Sequence, residues 1–268
     1  MGFNNVSTES QKVSIVLPCY NPARGWSDLI LKRMQELRAV LPAYELEFIL
    51  SNDGSTRLQT EEVNRITQEE GIIFLNHPVN EGKGSCIRKG AAYSHGEFIV
   101  YTDIDFPFGI DPIVQMVSLL HDNPGCQFVY GARTKSYFKQ LPLKRKVISY
   151  GLKMLNSLLL SPKTKDTQAG IKALKREVLQ DLLLTQTNSF VFEIEYMYKL
   201  MRKKVGIQSI PVQPEPNLVF TDFSSKTIWR ELLNLVWIYA HRRGAAVQQP
   251  SIPTNHSSET YAGGYADF

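Results

Sequence analysis

Two aspartates, Asp103 and Asp105, stand just after the apolar run Phe98-Ile99-Val100-Tyr101. Alternate residues at the fraying end of a strand can turn toward one cation, and hard carboxylate oxygens suit Mg2+ or Mn2+ bridging a diphosphate. Such an ion neutralises the charge that develops as a diphosphate leaves. An isolated Asp-x-Asp is usually structural, but here three other clusters accompany it. Pro18-Cys19-Tyr20-Asn21 follows one β-branched run, Ser51-Asn52-Asp53-Gly54-Ser55 follows a second, and Asn80-Glu81-Gly82-Lys83-Gly84 precedes a helical pattern. Each alone reads as a turn or a helix start. Their combination points to a site.

The elements that must position these clusters are legible in the hydrophobic pattern. Short apolar runs at 13–17, 46–50, 72–75 and 98–102 alternate with helical patterns over about 27–40, about 60–70 and after Gly84. This alternation predicts right-handed βαβ units and a mostly parallel sheet with helices on both faces, an α/β fold. Ser27 and Thr60 are the expected N-caps, Thr60 with Glu61 and Glu62 in the first turn. Ligands of open α/β sheets gather at the carboxyl ends of strands, and all four clusters fall on that edge.

Beyond Asp111-Pro112, a helix start with proline in its first turn, comes one more strand, 126–133, and then a change of character. From Arg133 to Arg176 Asp166 is the only acid. In 144–160, Val147, Ile148, Gly151, Leu152, Leu155 and Leu158 share one side at helical spacing, with Lys144, Arg145, Lys146 and Lys153 elsewhere. Two readings stand: a core helix with a solvated basic face, or a surface helix on anionic lipid. A short αβ segment over 171–184, a helix over 192–204 and a strand over 207–212 follow. The apolar helix 227–243, with Trp229, Trp237, Tyr239 and a terminal His241-Arg242-Arg243, suits a membrane interface and a docked helix equally.

At 268 residues, 43% hydrophobic and 21% charged, the composition is globular and excludes wholesale disorder, collagen and coiled coil. A net charge of +4 gives no support to a nucleic-acid partner. Cys19, Cys86 and Cys126 are too few and too scattered for a disulfide framework or a structural zinc. No stretch reaches the ~18 apolar residues of a membrane span. The expected organisation is a flexible tail over 1–11, one domain over 12–243 with a nucleotide-binding half (12–132) and an acceptor half (133–243), and a disordered tail over 244–268. The expected location is cytoplasmic, peripheral on the cytoplasmic face of a membrane.

From about Val13 to Lys226 the sequence resembles the GT-A glycosyltransferases of family 2, which use nucleotide-diphospho-sugars. Pro18-x-Tyr20-Asn21, Asp53-Gly54-Ser55 and Asp103-x-Asp105 carry the resemblance. It implies a GT-A, Rossmann-like fold, a first loop (Pro18, Tyr20, Asn21) on the nucleotide, and Asp53 on a uracil or guanine base. Lys83, Asp103 and Gln168 complete the implied donor site, and Asp103 and Asp105 hold the metal.

The second half is similar to the polyprenyl (dolichyl) phosphate hexosyltransferase branch. The matching motifs are Gly131-Ala132-Arg133, Arg145-x-x-x-Ser149, Asp166-Thr167-Gln168-Ala169-Gly170-Ile171-Lys172, Phe192-Glu193-x-Glu195 and Phe223-Ser224-Ser225-Lys226. The Asp-Thr-Gln-x-Gly-x-Lys form is closer to the glucosyltransferases than to the mannosyltransferases. Arg133, Arg145, Ser149 and Lys226 match positions that grip the acceptor phosphate or the donor diphosphate. Pro22, Asn52 and Pro107 depart from the family pattern, and the membrane helices added in most relatives have no counterpart.

The resemblance implies metal-dependent inverting transfer of a hexose, from UDP-glucose ahead of GDP-mannose, to a polyprenyl phosphate, with Asp105, Arg133 and Arg145 as the catalytic set. The second pKa of a phosphate monoester is ~6, so this nucleophile needs no general base. The partners expected are the nucleotide-sugar, the lipid phosphate and an anionic membrane surface. The alternative is a family 2 transferase acting on a sugar hydroxyl of a polysaccharide or glycolipid, for which Glu193 or Glu195 becomes a candidate base. Otherwise these two glutamates read as helix-surface or ion-pair residues. A third reading, an idle nucleotide-sugar-binding module, draws on Asn52 and Pro107.

Overall fold

The computed structural model describes residues 11–134, 167–215 and Asn234. Seven strands run β1 Lys12–Cys19, β2 Glu45–Asp53, β3 Ile72–His77, β4 Phe98–Tyr101, β5 Phe128–Arg133, β6 Lys172–Lys175 and β7 Ile207–Val212. Between them lie α1 Trp26–Val40, α2 Thr60–Thr67, α3 Lys83–Ala92, α4 Asp111–Asp122, α5 Leu179–Leu183 and α6 Phe192–Arg202. The strands form one sheet in the order β3-β2-β1-β4-β6-β5-β7. Pairing is parallel except at β6, which runs antiparallel to both β4 and β5.

Alternation along the strands sorts side chains to two cores. Ile15 and Leu17 of β1 and Phe98 and Val100 of β4 join Trp26, Ile30 and Met34 of α1 and Ile113, Met116 and Leu120 of α4. Val16, Ile99 and Tyr101 point the other way, to Ile87 of α3, Leu182 of α5 and Phe192 and Tyr196 of α6. A strand buried on both faces reads as a continuous apolar run, which is why β1 and β2 stand out in the sequence. Pro211 is accommodated in β7, which ends the sheet order, where a missing N–H is tolerated.

The helix starts differ from expectation at two caps. α1 begins at Trp26 after Gly25, which is left-handed at φ 81°, and Ser27 is buried inside the first turn. α2 begins at Thr60 with Gln59 at the cap, and neither helix has a side-chain cap bond. The Gly25 N–H instead donates to Glu62 Oε1 at 2.6 Å, so a long-range contact within the α1 and α2 layer fixes this end. α4 starts at Asp111 with Pro112 in its first turn, as expected.

A buried carboxylate locks the far edge of the sheet. Glu47 of β2 accepts from Ser14 Oγ of β1 at 2.5 Å and from the His95 N–H, while the Gly96 N–H donates to Ser14 Oγ at 2.7 Å. Burial alone would push the Glu47 carboxyl up, but the His95 N–H, then the Ser14 hydroxyl and the His95 ring, hold it below the ordinary glutamate value.

Among the described residues no helix is long and apolar enough to cross a membrane. The basic helix expected over 144–160, most of the aromatic helix over 227–243 and both tails lie outside the described residues.

Candidate active site

Because β1, β2 and β4 are parallel and in register, their carboxyl ends meet on one edge; Cys19 pairs with Asn52 in the ladder. The first loop and the loop after β2 are stitched together there. Asn21, held at φ 45°, accepts the N–H groups of Thr56 and Arg57 on its Oδ1 at 3.0 and 3.1 Å, and its own N–H donates to Ser55 Oγ at 2.7 Å. Pro18 is half-buried, and Tyr20 beside it is 54% exposed, a free aromatic face on this edge.

Asp53 is buried and its two oxygens are both used. Oδ1 accepts the Glu81 N–H and Oδ2 the Gly82 N–H, each at 2.9 Å. This carboxylate ties β2 to the loop that opens α3. Gly54 must be glycine: its φ is +67° and a Cβ would stand 2.5 Å from Val79 C and Asn80 N. Asn52 works with both ends of its amide, donating to Asn76 Oδ1 at 2.7 Å and accepting the Ser55 N–H at 3.2 Å. Asn52 is one departure from the pattern that the resemblance implies, and a carboxylate there would need the Asn76 amide turned to donate to it. At another, buried Pro107 serves through its carbonyl, which accepts the Glu215 N–H at 2.9 Å.

The two aspartates after β4 have different settings. Asp103 forms an ion pair with Lys83, the first residue of α3. Burial pulls the Lys83 ammonium down, but Asp103 first, then Glu193 and Asp105, outweigh it and leave it above its ordinary value. Asp105 is exposed at its surface, yet the protein packed around it, and Asp103 second, push its carboxyl up. Two carboxylates that repel each other, one already drawing on an ammonium, mark a place that favours a cation. Among the described residues no group of three or more His, Cys, Asp or Glu gathers. Mg2+ is commonly held by one or two carboxylates with phosphate oxygens and water, so Asp103 and Asp105 fit such an ion in the presence of a diphosphate.

Arg133, at the end of β5, donates from Nη2 to Gln168 Oε1 at 2.9 Å. Gln168 belongs to the turn before β6, and Gly170 of that turn packs on Asp103 so closely that a Cβ would overlap Oδ2. Lys83, Asp103, Arg133 and Gln168 are therefore linked through one turn, with Asp105 beside them, while Pro18, Tyr20, Asn21 and Asp53 form the adjoining group. Arg145, Ser149 and Lys226 lie outside the described residues. A cleft of about 370 Å³ opens between the Glu81-Gly82 turn and the 186–189 loop, with Asn234 on its wall.

The helix-surface reading of Glu193 and Glu195 is corrected: both are buried, because the start of α6 is enclosed by the sheet on one side and the 185–189 loop on the other. The ion-pair reading holds. Glu195 accepts the N–H groups of Gln186 and Thr187 and the Thr187 hydroxyl, and pairs with Lys199 at 3.2 Å. Glu193 pairs through Oε2 with Lys172, whose side chain is 0% exposed and also donates to the Ala169 carbonyl at 2.5 Å. Burial pulls the Lys172 ammonium below its ordinary value, and the Glu193 charge only partly restores it. The sequence does not single out this pair as a unit; its signal is a lysine inside the apolar run Ile171-Lys172-Ala173-Leu174. The three cysteines are buried and unpaired, and burial, with Cys86 second, pushes the Cys19 thiol up to about 12, so it is no nucleophile.

The mixed sheet with its polar carboxyl edge is a GT-A glycosyltransferase fold. Glucosyl-3-phosphoglycerate synthase from Mycobacterium tuberculosis, solved with Mn2+, UDP and glucosyl-3-phosphoglycerate, matches it at TM-score 0.60 and 17% identity, over 87% of this chain and 80% of that one. Residues 14–183 match glycosyl transferase family 2, more than half of the chain, and the protein belongs to that family of glycosyltransferases. A dolichyl-phosphate beta-glucosyltransferase, ALG5A of Trichomonas vaginalis, is 28% identical over 211 residues, 75% of this chain and 65% of that protein. Glycosyltransferase AglD of Haloferax volcanii is 27% identical over 212 residues, 76% of this chain and 33% of that protein. The chain thus spans about a third of one of these relatives and just under two thirds of the other.

Proposed function

We propose that the protein transfers a hexose with inversion from a nucleotide-diphospho-sugar, UDP-glucose ahead of GDP-mannose, to the phosphate of a polyprenyl lipid. The observation that carries this reading is the convergence of Lys83, Asp103, Asp105, Arg133 and Gln168 at the strand ends. Its specificity is supported by relatives named dolichyl-phosphate beta-glucosyltransferase in Trichomonas vaginalis and Saccharomyces cerevisiae, and by the UDP and Mn2+ of the mycobacterial structure.

In this reading Pro18, Tyr20, Asn21 and Asp53 receive the nucleoside, and Asp103 and Asp105 hold Mg2+ or Mn2+. When bound, the ion supplies positive charge against the departing diphosphate. Lys83, at the start of α3 and paired with Asp103, adds positive charge to this end of the site. Arg133, oriented by Gln168, draws the acceptor phosphate toward the anomeric carbon, and Arg145, Ser149 and Lys226 extend that grip. The phosphate attacks as a dianion and no protein base is required. The engagement of Glu195 by four partners and of Glu193 by Lys172 favours this nucleophile over a sugar hydroxyl, which would need a carboxylate base. The segments 144–160 and 227–243 would hold the enzyme on the anionic cytoplasmic face of a membrane.

The test is a donor-by-acceptor assay: labelled UDP-glucose and GDP-mannose, each with polyprenyl phosphate and Mg2+ or Mn2+, with Asp105→Ala as control. Lipid-linked product from one donor, lost in the control and on chelation, is the expected result. Donor hydrolysis without lipid product would move the acceptor to a sugar hydroxyl.

A further inference from the structure

Asp103 already has a cation. The Lys83 ammonium sits on Asp103 Oδ1 with only 15% of the lysine side chain exposed, while Asp103 itself is 38% exposed and the Gly170 turn packs beside Oδ2. A divalent ion reaching this carboxylate therefore competes with the ammonium for its charge. An ion that draws Asp103 to itself weakens the hold on the ammonium, and a largely enclosed ammonium without an acceptor is unfavourable.

An acceptor stands nearby. Glu193 Oε1 is buried with no hydrogen-bond partner, while Oε2 of the same carboxylate is held by Lys172. Glu193 lies within electrostatic reach of Lys83. An unpartnered oxygen on a buried carboxylate is costly to leave so, and it is of the type that an ammonium needs.

We propose that Lys83 is a built-in competitor for the metal position: it holds Asp103 while no metal is bound and passes to Glu193 Oε1 when metal and diphosphate arrive together. The consequence is an order of binding. A bare ion gains too little from Asp103 and Asp105 to dislodge the lysine, whereas an ion carried with a nucleoside diphosphate brings oxygens that complete its own shell. Glu193 becomes a positioning residue that acts through Lys83. The inference rests on the reading that Asp103 and Asp105 take a divalent cation.

Mn2+ titration of the full chain, followed by the electron paramagnetic resonance of free Mn2+, separates the two ideas. It is run without nucleotide, with UDP and with GDP, and corrected for Mn2+ bound by nucleotide in free solution. The wild type is expected to bind Mn2+ weakly alone and at least about tenfold more tightly with one nucleotide, the equivalent of about 1.4 kcal/mol. Lys83→Met should bind Mn2+ alone roughly tenfold more tightly than the wild type, with its dependence on nucleotide shrunken; ~1.4 kcal/mol is again the conversion. Lys83→Gln carries the same expectation should methionine at this position unfold the protein. Glu193→Gln should loosen Mn2+ binding in the presence of nucleotide without tightening it in its absence. Nucleotide-dependent Mn2+ binding by the wild type, with Lys83→Met and Lys83→Gln no tighter for Mn2+ alone, overturns the competitor role and leaves the metal reading standing. Absence of Mn2+ binding under every condition overturns both.

Discussion

Removing the Lys172 ammonium should unfold the protein more readily than removing the whole Lys172 and Glu193 pair. Lys172 is 0% exposed, pairs with Glu193 and bonds the Ala169 carbonyl, so Lys172→Met leaves a buried carboxylate with neither oxygen partnered. Breaking a buried ion pair from one side costs about 3–5 kcal/mol, against a typical total stability of about 5–15 kcal/mol. At about 2–4 °C per kcal/mol for a chain of this size, Tm should fall by roughly 6–20 °C. The double variant Lys172→Met/Glu193→Leu replaces both charges with apolar groups and should recover most of the loss, since apolar replacements of buried pairs are often neutral. Urea denaturation followed by circular dichroism near neutral pH compares wild type, both single variants and the double. A Lys172→Met protein within about 1 kcal/mol of wild type, or a double variant no more stable than that single one, would refute the account of this pair as a buried, mutually dependent unit.

Gly170→Ala should leave the sheet intact but force the new methyl group into Asp103 Oδ2, at the ~1–3 kcal/mol typical of overpacking, and reduce transfer by tenfold or more. Transfer at the wild-type rate, with an unchanged Tm, would mean that the turn does not fix Asp103. Glu47→Gln tests the carboxylate lock. Because the folded-state pKa of Glu47 is depressed, its contribution is present above the unfolded value of about 4.3 and is lost as pH falls through the lower folded value. The wild type should therefore lose stability more steeply than Glu47→Gln below about pH 4.3, and parallel acid limbs in denaturation curves would count against the lock.

Local rules made much of this protein legible from its residues. β-branched runs alternating with helical periods specify an α/β sheet because the central strands are buried on both faces, and the same alternation puts Asn21, Asp53, Lys83 and Asp103 on one edge. Asp103-Ile104-Asp105 announces its chemistry through two carboxylates at a strand end, a property of neighbours in the chain. What the tertiary structure decided are the pairings between residues far apart in sequence. Asp53 spends its oxygens on the backbone of residues 81 and 82, Arg133 meets Gln168, and Lys83 meets Asp103. The antiparallel insertion of β6 between β4 and β5 carries Gly170 onto Asp103 and drives Lys172 inward to Glu193. Periodicity shows which face a residue takes on its own element, and so left Glu193 and Glu195 undecided between surface and ion pair. Only the order of the strands fixes which elements become neighbours, and with it whether a charge is solvated or paired in the interior.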